Sequence, residues 1–256
     1  MPESQLFGKK ERVEQLLEKL DRLNLQVVFF AIGANLDSKE GKECAELASQ
    51  QGHFLANHSY HHGHLSEMTN NEFSNEIKST EDLLKNYQTF RRWYRFPFLD
   101  FGARKGNFLK RARAFQTLKK LGYQHGHVTI NTFDWHINGL LQKALREGRE
   151  VDYKALKGVY LALLEEWIDH YQSEWERFYK GKITHTLLLH ANDLNTLFIE
   201  DIVELLKRKK WTIVSPKKAF YGPLQKVVNR ASAIKAPESL SCEKIDEALD
   251  YALPSS

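Results

Sequence analysis

The chain has 256 residues, of which 42% are hydrophobic and 27% are charged, and its formal net charge is +4 at pH 7. This composition is ordinary for a globular protein with a full-sized core, and the weak, dispersed positive charge argues against nucleic-acid binding. Cys44 and Cys242 lie too far apart in sequence to indicate a disulfide framework or a cysteine zinc site, and no apolar stretch approaches the roughly 18 residues of a membrane span.

The first predicted elements alternate between helix and strand. Leucines recur at helical spacing over about residues 8–24, which predicts an amphipathic helix. The next run, LQVVFFAIG at 25–33, is rich in β-branched and aromatic residues and predicts a buried parallel strand. A helix over 39–51 and a short strand over 53–57 follow it.

The same alternation continues along the chain. Thr69-Asn70-Asn71-Glu72 has the pattern of a capping box and predicts a helix that runs to about Tyr87. Further strands are predicted at 90–96, 126–130, 184–189 and 211–214, and further helices at 105–121 and 196–209. Strands that alternate with helices predict a mainly parallel sheet, either open or closed into a barrel.

Residues 139–182 interrupt this rhythm with a long helical pattern where a short crossover would suffice. Its aromatic residues are interpreted as packing against the main body, and the alternative is that some of them wall a substrate cleft: Tyr160, Trp167, Tyr171, Trp175, Phe178 and Tyr179. The tail over 223–256 is polar and predicts one short helix near 242–251.

Residues 53–64 read HFLANHSYHHGH and contain five histidines in twelve positions. One interpretation is a solvated turn. The other is a metal site, because histidine is the commonest nitrogen ligand for zinc and closely spaced pairs usually supply it.

Polar residues follow each of several predicted strands at its end, where parallel α/β folds place their ligand sites. These residues are His58 and His62, Arg95, Asp134 and His190. Taken alone, Arg95 would be a surface ion-pair residue and His190 a structural residue. Their repeated placement predicts a site at one edge of the sheet.

These residues carry a family resemblance. His58-Ser59-x-x-His62 resembles the metal motif of the polysaccharide deacetylases, the NodB-homology group or carbohydrate esterase family 4. Arg95-x-Pro97, Asp134-Trp135 and Leu187-x-Leu189-His190 are similar to that family's later motifs, in the same order. The resemblance spans about residues 8–220, and LLLHANDLN at 187–195 resembles one bacterial branch.

The resemblance implies an α/β fold, a distorted (β/α) barrel that lacks its first strand. The barrel would be one domain over residues 1–222 with the helical insertion at 139–182, followed by the tail at 223–256.

The resemblance also implies a hydrolytic reaction on an acetylated carbohydrate. His58 and His62 would hold a divalent metal, usually zinc, together with an aspartate, and an activated water would attack an N-acetyl or O-acetyl carbonyl. His190 would be the general acid, and Asp134 would hydrogen-bond it and hold it charged.

The remaining roles are implied in the same way. Arg95 would orient the carboxylate that acts as the general base. The positions implied to bind substrate are Trp135, Leu189, Pro97 and Phe98. His61 and His64 are loop residues that could also touch the metal.

One motif of the family is missing from this sequence. The family places an Asp-Asp pair at the end of its first strand, where the first aspartate is the general base and the second is a metal ligand. This chain contains no such pair, and neither Asp21 nor Asp37 is a convincing replacement. Two explanations are open: a chain cut short upstream of Met1-Pro2-Glu3-Ser4, which we favour, or a variant without the first strand.

A cut would also remove a signal peptide, which is absent from the first residues. The expected location is therefore the cell envelope or periplasm if such a peptide was lost, and the cytoplasm otherwise.

We expect a metal-dependent hydrolase that removes acetyl groups from a polysaccharide and is impaired in this form. The alternative is a non-catalytic carbohydrate-binding pseudoenzyme. A purely structural metal site is disfavoured because two histidines do not close a tetrahedral shell.

Overall fold

The computed structural model describes residues 6–102, 108–228, 240–250 and 252–253. The chain divides into two compact units. The strand unit comprises Leu25–His127 and Ser215–Asn229, and the helical unit comprises Met1–Asn24, Val128–Val214 and Arg230–Ser256. Residues 1–5, which include the predicted chain start, and residues 229–239, 251 and 254–256 of the predicted tail lie outside the described residues.

The described residues form helices throughout both units. These are α1 (Lys9–Arg22), α2 (Gly33–Leu36), α3 (Lys39–Gln50), α4 (Asn70–Leu84), α5 (Phe108–Lys120), α6 (Asp134–Arg146), α7 (Tyr153–Tyr179), α8 (Asp193–Arg208), α9 (Pro216–Phe220), α10 (Gln225–Val228) and α11 (Cys242–Leu249). None of the helices within these described ranges is long and apolar enough to cross a membrane.

The strand unit is built on a four-stranded sheet in the described part of the chain. Its strands are β1 (Val28–Ala31), β2 (Phe54–Asn57), β3 (Phe90–Tyr94) and β4 (Gln124–His125), in the order β1-β2-β3-β4. All three neighbouring pairs are parallel. The predicted parallel sheet is therefore confirmed, and its strands are two to five residues long.

Helix α4 packs on this sheet through a buried apolar face. Phe73 and Ile77 lie in one core cluster with Tyr94 and Phe96 at the end of β3. The helix begins at the predicted capping box, in which the Thr69 hydroxyl accepts from the Glu72 amide. The predicted helix start at Thr69 is confirmed.

The helical unit is held together by α1, α7 and α8. Lys19 of α1 donates to the carbonyl oxygens of Thr196 (2.7 Å) and Leu197 (2.9 Å) in the first turn of α8. Burying a lysine stem while satisfying its ammonium with carbonyl oxygens ties the two helices together. The predicted insertion at 139–182 consists of the end of α6 and the whole of α7, which is 27 residues long.

Three predicted strands differ from the structure. Residues 126–130 and 184–189 form only an isolated parallel bridge between Ile130 and Leu187, and 211–214 forms no strand. For the first two segments the physical reason lies at Thr129 and Thr186. The Thr129 and Ile130 amides both donate to the Thr186 carbonyl oxygen at 3.1 Å, but the Thr186 amide donates to the Thr129 hydroxyl at 2.7 Å instead of to a backbone carbonyl. This side-chain bond interrupts the regular ladder.

Candidate active site

The histidine loop, residues 58–62, follows β2 and is held by one carboxylate of α4. Glu76 Oε2 accepts from the Ser59 hydroxyl (2.6 Å) and from the amides of Tyr60 (2.9 Å) and His61 (2.7 Å). Burial acts to raise the pKa of Glu76, but these hydrogen bonds outweigh it and lower the pKa below its ordinary value. The ionised carboxylate therefore fixes the path of the loop.

Helix α2 holds the same loop from its start. The amides of Gly33 and Ala34 donate to the carbonyl oxygens of Ser59 and Tyr60, both at 2.9 Å. A Cβ atom on Gly33 would collide with the Tyr60 ring, so this close approach requires glycine. Ser59 and His62 have φ values of 69° and 58°, a conformation that persists only where the surroundings impose it.

The predicted metal ligands His58 and His62 lie side by side. Their ring centroids are 4.8 Å apart. His58 Nδ1 lies 2.8 Å from the carbonyl oxygen of Arg95. Because a carbonyl only accepts, Nδ1 carries a proton, and in the neutral imidazole Nε2 is then the nitrogen that can bind a metal.

This pair fits a divalent metal as two of its ligands. Within the described ranges no group of three or more His, Cys, Asp and Glu side chains could hold a metal ion. The aspartate ligand that the resemblance implies is thus not among the described residues beside the histidines.

Arg95 is buried, with 8% of its surface exposed. Its Nε donates to the Gly126 carbonyl oxygen at 3.1 Å, and its guanidinium lies 3.9 Å from the centroid of the Phe30 ring. None of the described carboxylates forms an ion pair with it, so the interpretation of Arg95 as a surface ion-pair residue is wrong. Burial lowers the pKa of Arg95 to about 9. The residue is a buried cation that a carboxylate could approach.

An exposed aromatic ring borders the histidine pair. Phe98 is 58% exposed, stacks on His64 at 3.9 Å between centroids and contacts His62 edge-on at 4.6 Å. It lies in a 3₁₀ turn that begins with the buried Pro97. The exposed part of the Phe98 ring could therefore contact an apolar surface of a ligand. Pro97 begins the turn that holds Phe98 in this position.

In the helical unit, Asp134 and His190 form a hydrogen-bonded pair. Asp134 is fully buried at the first position of α6. Its Oδ1 lies 2.8 Å from His190 Nδ1, and its Oδ2 accepts from the His190 amide at 2.7 Å. Because an ionised carboxylate only accepts, Nδ1 of His190 is the donor in this pair.

The two other predicted residues of this unit flank that pair in sequence. Trp135 follows Asp134 and is 49% exposed, and Leu189 precedes His190 and is half-buried. An exposed tryptophan beside a buried carboxylate is a suitable surface for a sugar ring.

Several residues of these sites could not be found from the sequence. Glu76 gives no local signal, because its partners lie fifteen to seventeen positions earlier. Asn195 donates to Asp134 Oδ2 at 2.6 Å. Asn195 lies within LLLHANDLN, and its position three residues after the N-cap Asn192 was the available hint.

Comparisons with known proteins agree with this architecture. Residues 7–126 match the polysaccharide deacetylase family. A peptidoglycan-N-acetylglucosamine deacetylase from Bacillus cereus is 30% identical over 74 residues, which are 29% of this chain and 26% of that protein. The match thus spans about a quarter of that relative.

Two solved structures share the fold at 16% sequence identity. A wild-type carbohydrate esterase family 4 pseudoenzyme from Bacillus anthracis has a TM-score of 0.59, with 84% of this chain and 62% of that chain covered. The chitin deacetylase of the fungal pathogen Colletotrichum lindemuthianum has a TM-score of 0.59, with 85% of each chain covered.

The class of protein follows from these observations. The chain has the α/β fold of the polysaccharide deacetylases, and the predicted resemblance to that family is confirmed. The chain spans less than two thirds of the Bacillus anthracis protein.

Proposed function

We propose that this protein is a metal-dependent hydrolase that removes acetyl groups from an acetylated polysaccharide. The bond broken would be the amide of an N-acetyl sugar or the ester of an O-acetyl sugar. The observation that carries the proposal is the His58–His62 pair, in which a backbone carbonyl fixes the tautomer of His58.

His58 and His62 would hold the divalent metal, with zinc the first candidate. Catalytic zinc usually has three protein ligands, so a carboxylate from elsewhere must complete the set. A metal bound there supplies Lewis-acid polarisation of the acetyl carbonyl.

His190 would supply the proton that the leaving group needs. His190 keeps its Nδ1 proton in the hydrogen bond to Asp134. When the ring is protonated, it can give up its second ring proton, on Nε2, to the departing amine nitrogen or alcohol oxygen. Asp134 would hold the His190 ring in the orientation that this transfer needs. Trp135, Leu189 and Phe98 would contact the acetyl group and sugar, and Pro97 would set the turn that presents Phe98.

The alternative is a non-catalytic protein that binds carbohydrate. It is favoured by two observations: the sequence contains no Asp-Asp pair, and the contacts of Arg95 with described residues are to the Gly126 carbonyl oxygen and the Phe30 ring rather than to a carboxylate. Such a protein would keep the exposed Phe98 and Trp135 and lose the general base. For the same reason, we expect the 256-residue chain to be a strongly impaired enzyme.

Zinc calorimetry tests the metal site. The wild-type chain should bind zinc, and the His58→Ala/His62→Ala double variant should lose that binding. His170→Ala, on α7, is the matched histidine control and should bind as the wild type does. Equal zinc binding by the double variant and the wild type would refute the assignment of these ligands.

A further inference from the structure

Hydrogen bonds link two buried side chains, Tyr160 and Asn195, to the Asp134–His190 pair. Tyr160 of α7 is fully buried, and its hydroxyl donates to Asn195 Oδ1 at 2.6 Å. Asn195 Nδ2 donates to Asp134 Oδ2 at 2.6 Å and to the His190 carbonyl oxygen at 2.9 Å. All four residues belong to the helical unit.

The orientation of the Asn195 amide is determined by its partners. A carboxylate and a carbonyl oxygen can only accept, so the amide nitrogen must face Asp134 and His190. The amide oxygen must then face Tyr160, whose hydroxyl has to be the donor. Burial, assisted by the charge of Asp134, raises the pKa of Tyr160 well above its ordinary value, which keeps this hydroxyl protonated.

Asn195 thereby fixes both members of the pair. It holds Oδ2 of Asp134 and the backbone of His190, and this leaves Oδ1 directed at His190 Nδ1. Other donors also reach this carboxylate: the His190 amide (2.7 Å) and Asn192 Nδ2 (3.3 Å) at Oδ2, and the Thr132 hydroxyl (3.2 Å) at Oδ1. The Asn195 bond to Oδ2 is the shortest of them, so its loss would weaken the restraint on rotation of the Asp134 side chain. Rotation of Asp134 would release the imidazole of His190.

We propose that Asn195 and Tyr160 are positioning residues that hold Asp134 in the rotamer that orients His190. The proposal rests on the proposed function in assigning His190 to proton transfer, although the geometry it predicts can be measured without turnover. It also gives the long helix α7 a second role besides packing, since α7 carries a residue two hydrogen bonds away from Asp134.

The test is the exchange with solvent of the His190 Nδ1 proton, followed by NMR on protein labelled with ¹⁵N-histidine. The His190→Ala spectrum assigns the signal. Tyr160→Phe removes one hydroxyl and keeps the ring, and Asn195→Leu removes at similar volume the three side-chain hydrogen bonds that Asn195 makes to Tyr160, Asp134 and His190. Tyr171→Phe, the same change at another buried tyrosine of α7, is the control.

We expect Tyr160→Phe and Asn195→Leu to speed exchange of this proton at least about tenfold, the equivalent of one ordinary hydrogen bond. Tyr171→Phe should leave the rate unchanged. If Tyr160→Phe is folded and its exchange rate equals that of Tyr171→Phe, the proposal is wrong. The zinc titration is independent of this measurement, so failure of the metal site and failure of the positioning network are distinguishable.

Discussion

At the scale of single side chains, Arg95 is a buried cation without a carboxylate partner among the described residues. Its guanidinium is buried against the Phe30 ring and the Gly126 carbonyl, and its pKa is lowered by burial to about 9. A buried cation of this kind is usually paired, and removing one partner of a buried pair typically costs about 3–5 kcal/mol. The change in the free energy of unfolding when Arg95 is replaced therefore shows whether a carboxylate contacts it.

Replacing Arg95 by methionine should change the free energy of unfolding by no more than about 1 kcal/mol. Methionine loses the favourable contacts of the guanidinium with Phe30 and Gly126, but the variant also avoids the free-energy cost of burying a charge, and the two effects offset each other. Urea unfolding of both proteins measures the difference. A destabilisation of about 3–5 kcal/mol would mean that Arg95 is paired with an acid in the folded protein, contrary to our description.

His185 makes stability depend on pH. Its ring stacks on Trp211, its Nδ1 lies 3.2 Å from the Thr129 hydroxyl, and burial lowers its pKa to about 4. The unfolded chain therefore binds this proton at higher pH than the folded chain does. The stabilising effect of the neutral form is complete above about pH 6.5 and declines as the pH falls towards 4.

His185→Gln should reduce the loss of stability between pH 7 and pH 5 by about 1–2 kcal/mol. Urea unfolding at the two pH values, for wild type and variant, measures that loss. An identical pH dependence in the two proteins would show that His185 titrates alike in the folded and unfolded states.

At the scale of elements, the histidine loop depends on α4. The sequence predicts the start of α4 correctly, because a capping box is a local pattern with a direct physical cause. It could not predict that Glu76, one turn further along the same helix, receives the loop amides. That contact depends on how α4 packs against β2, which periodicity does not specify.

The same limit explains the strands that were predicted and are not present. The runs around Thr129 and Thr186 have strand-like composition, but the Thr186 amide donates to the Thr129 hydroxyl, and the pairing is limited to one isolated bridge. Composition predicts an extended segment there and cannot show which atoms pair.

Glu76→Gln should weaken zinc binding by about 10–100-fold, as is typical when a group that supports metal ligands is altered. The neutral amide oxygen of glutamine would accept the three loop donors more weakly than the carboxylate oxygen does. Glu72→Gln, one turn earlier on α4, keeps the capping box and should bind zinc as the wild type does. Equal affinities for the two variants would show that Glu76 does not position the histidines.

At the scale of the whole molecule, the predicted site residues belong to two compact units. His58, His62 and Arg95 lie in the strand unit, and Asp134 and His190 lie in the helical unit. The order of the site motifs along the chain could be predicted because each motif is a short, local sequence pattern. The division into units could not, because it arises from distant packing, such as the contact of Lys19 with the first turn of α8.

We propose that this protein carries out metal-dependent deacetylation and that the lack of an Asp-Asp pair weakens it. The most direct measurement is the rate of acetate release from acetylated chito-oligosaccharides by the 256-residue chain loaded with zinc. The Colletotrichum lindemuthianum chitin deacetylase serves as the positive control.

We predict slow release, at least about 10²–10⁴-fold below the fungal enzyme, since a well-placed general base contributes that much. This release should stop with a chelator and in His190→Ala. Release at the rate of the fungal enzyme would contradict the account of the missing base. Release that is unaffected by the chelator, or none above the uncatalysed background, would contradict the proposed function, and the latter would favour a carbohydrate-binding pseudoenzyme.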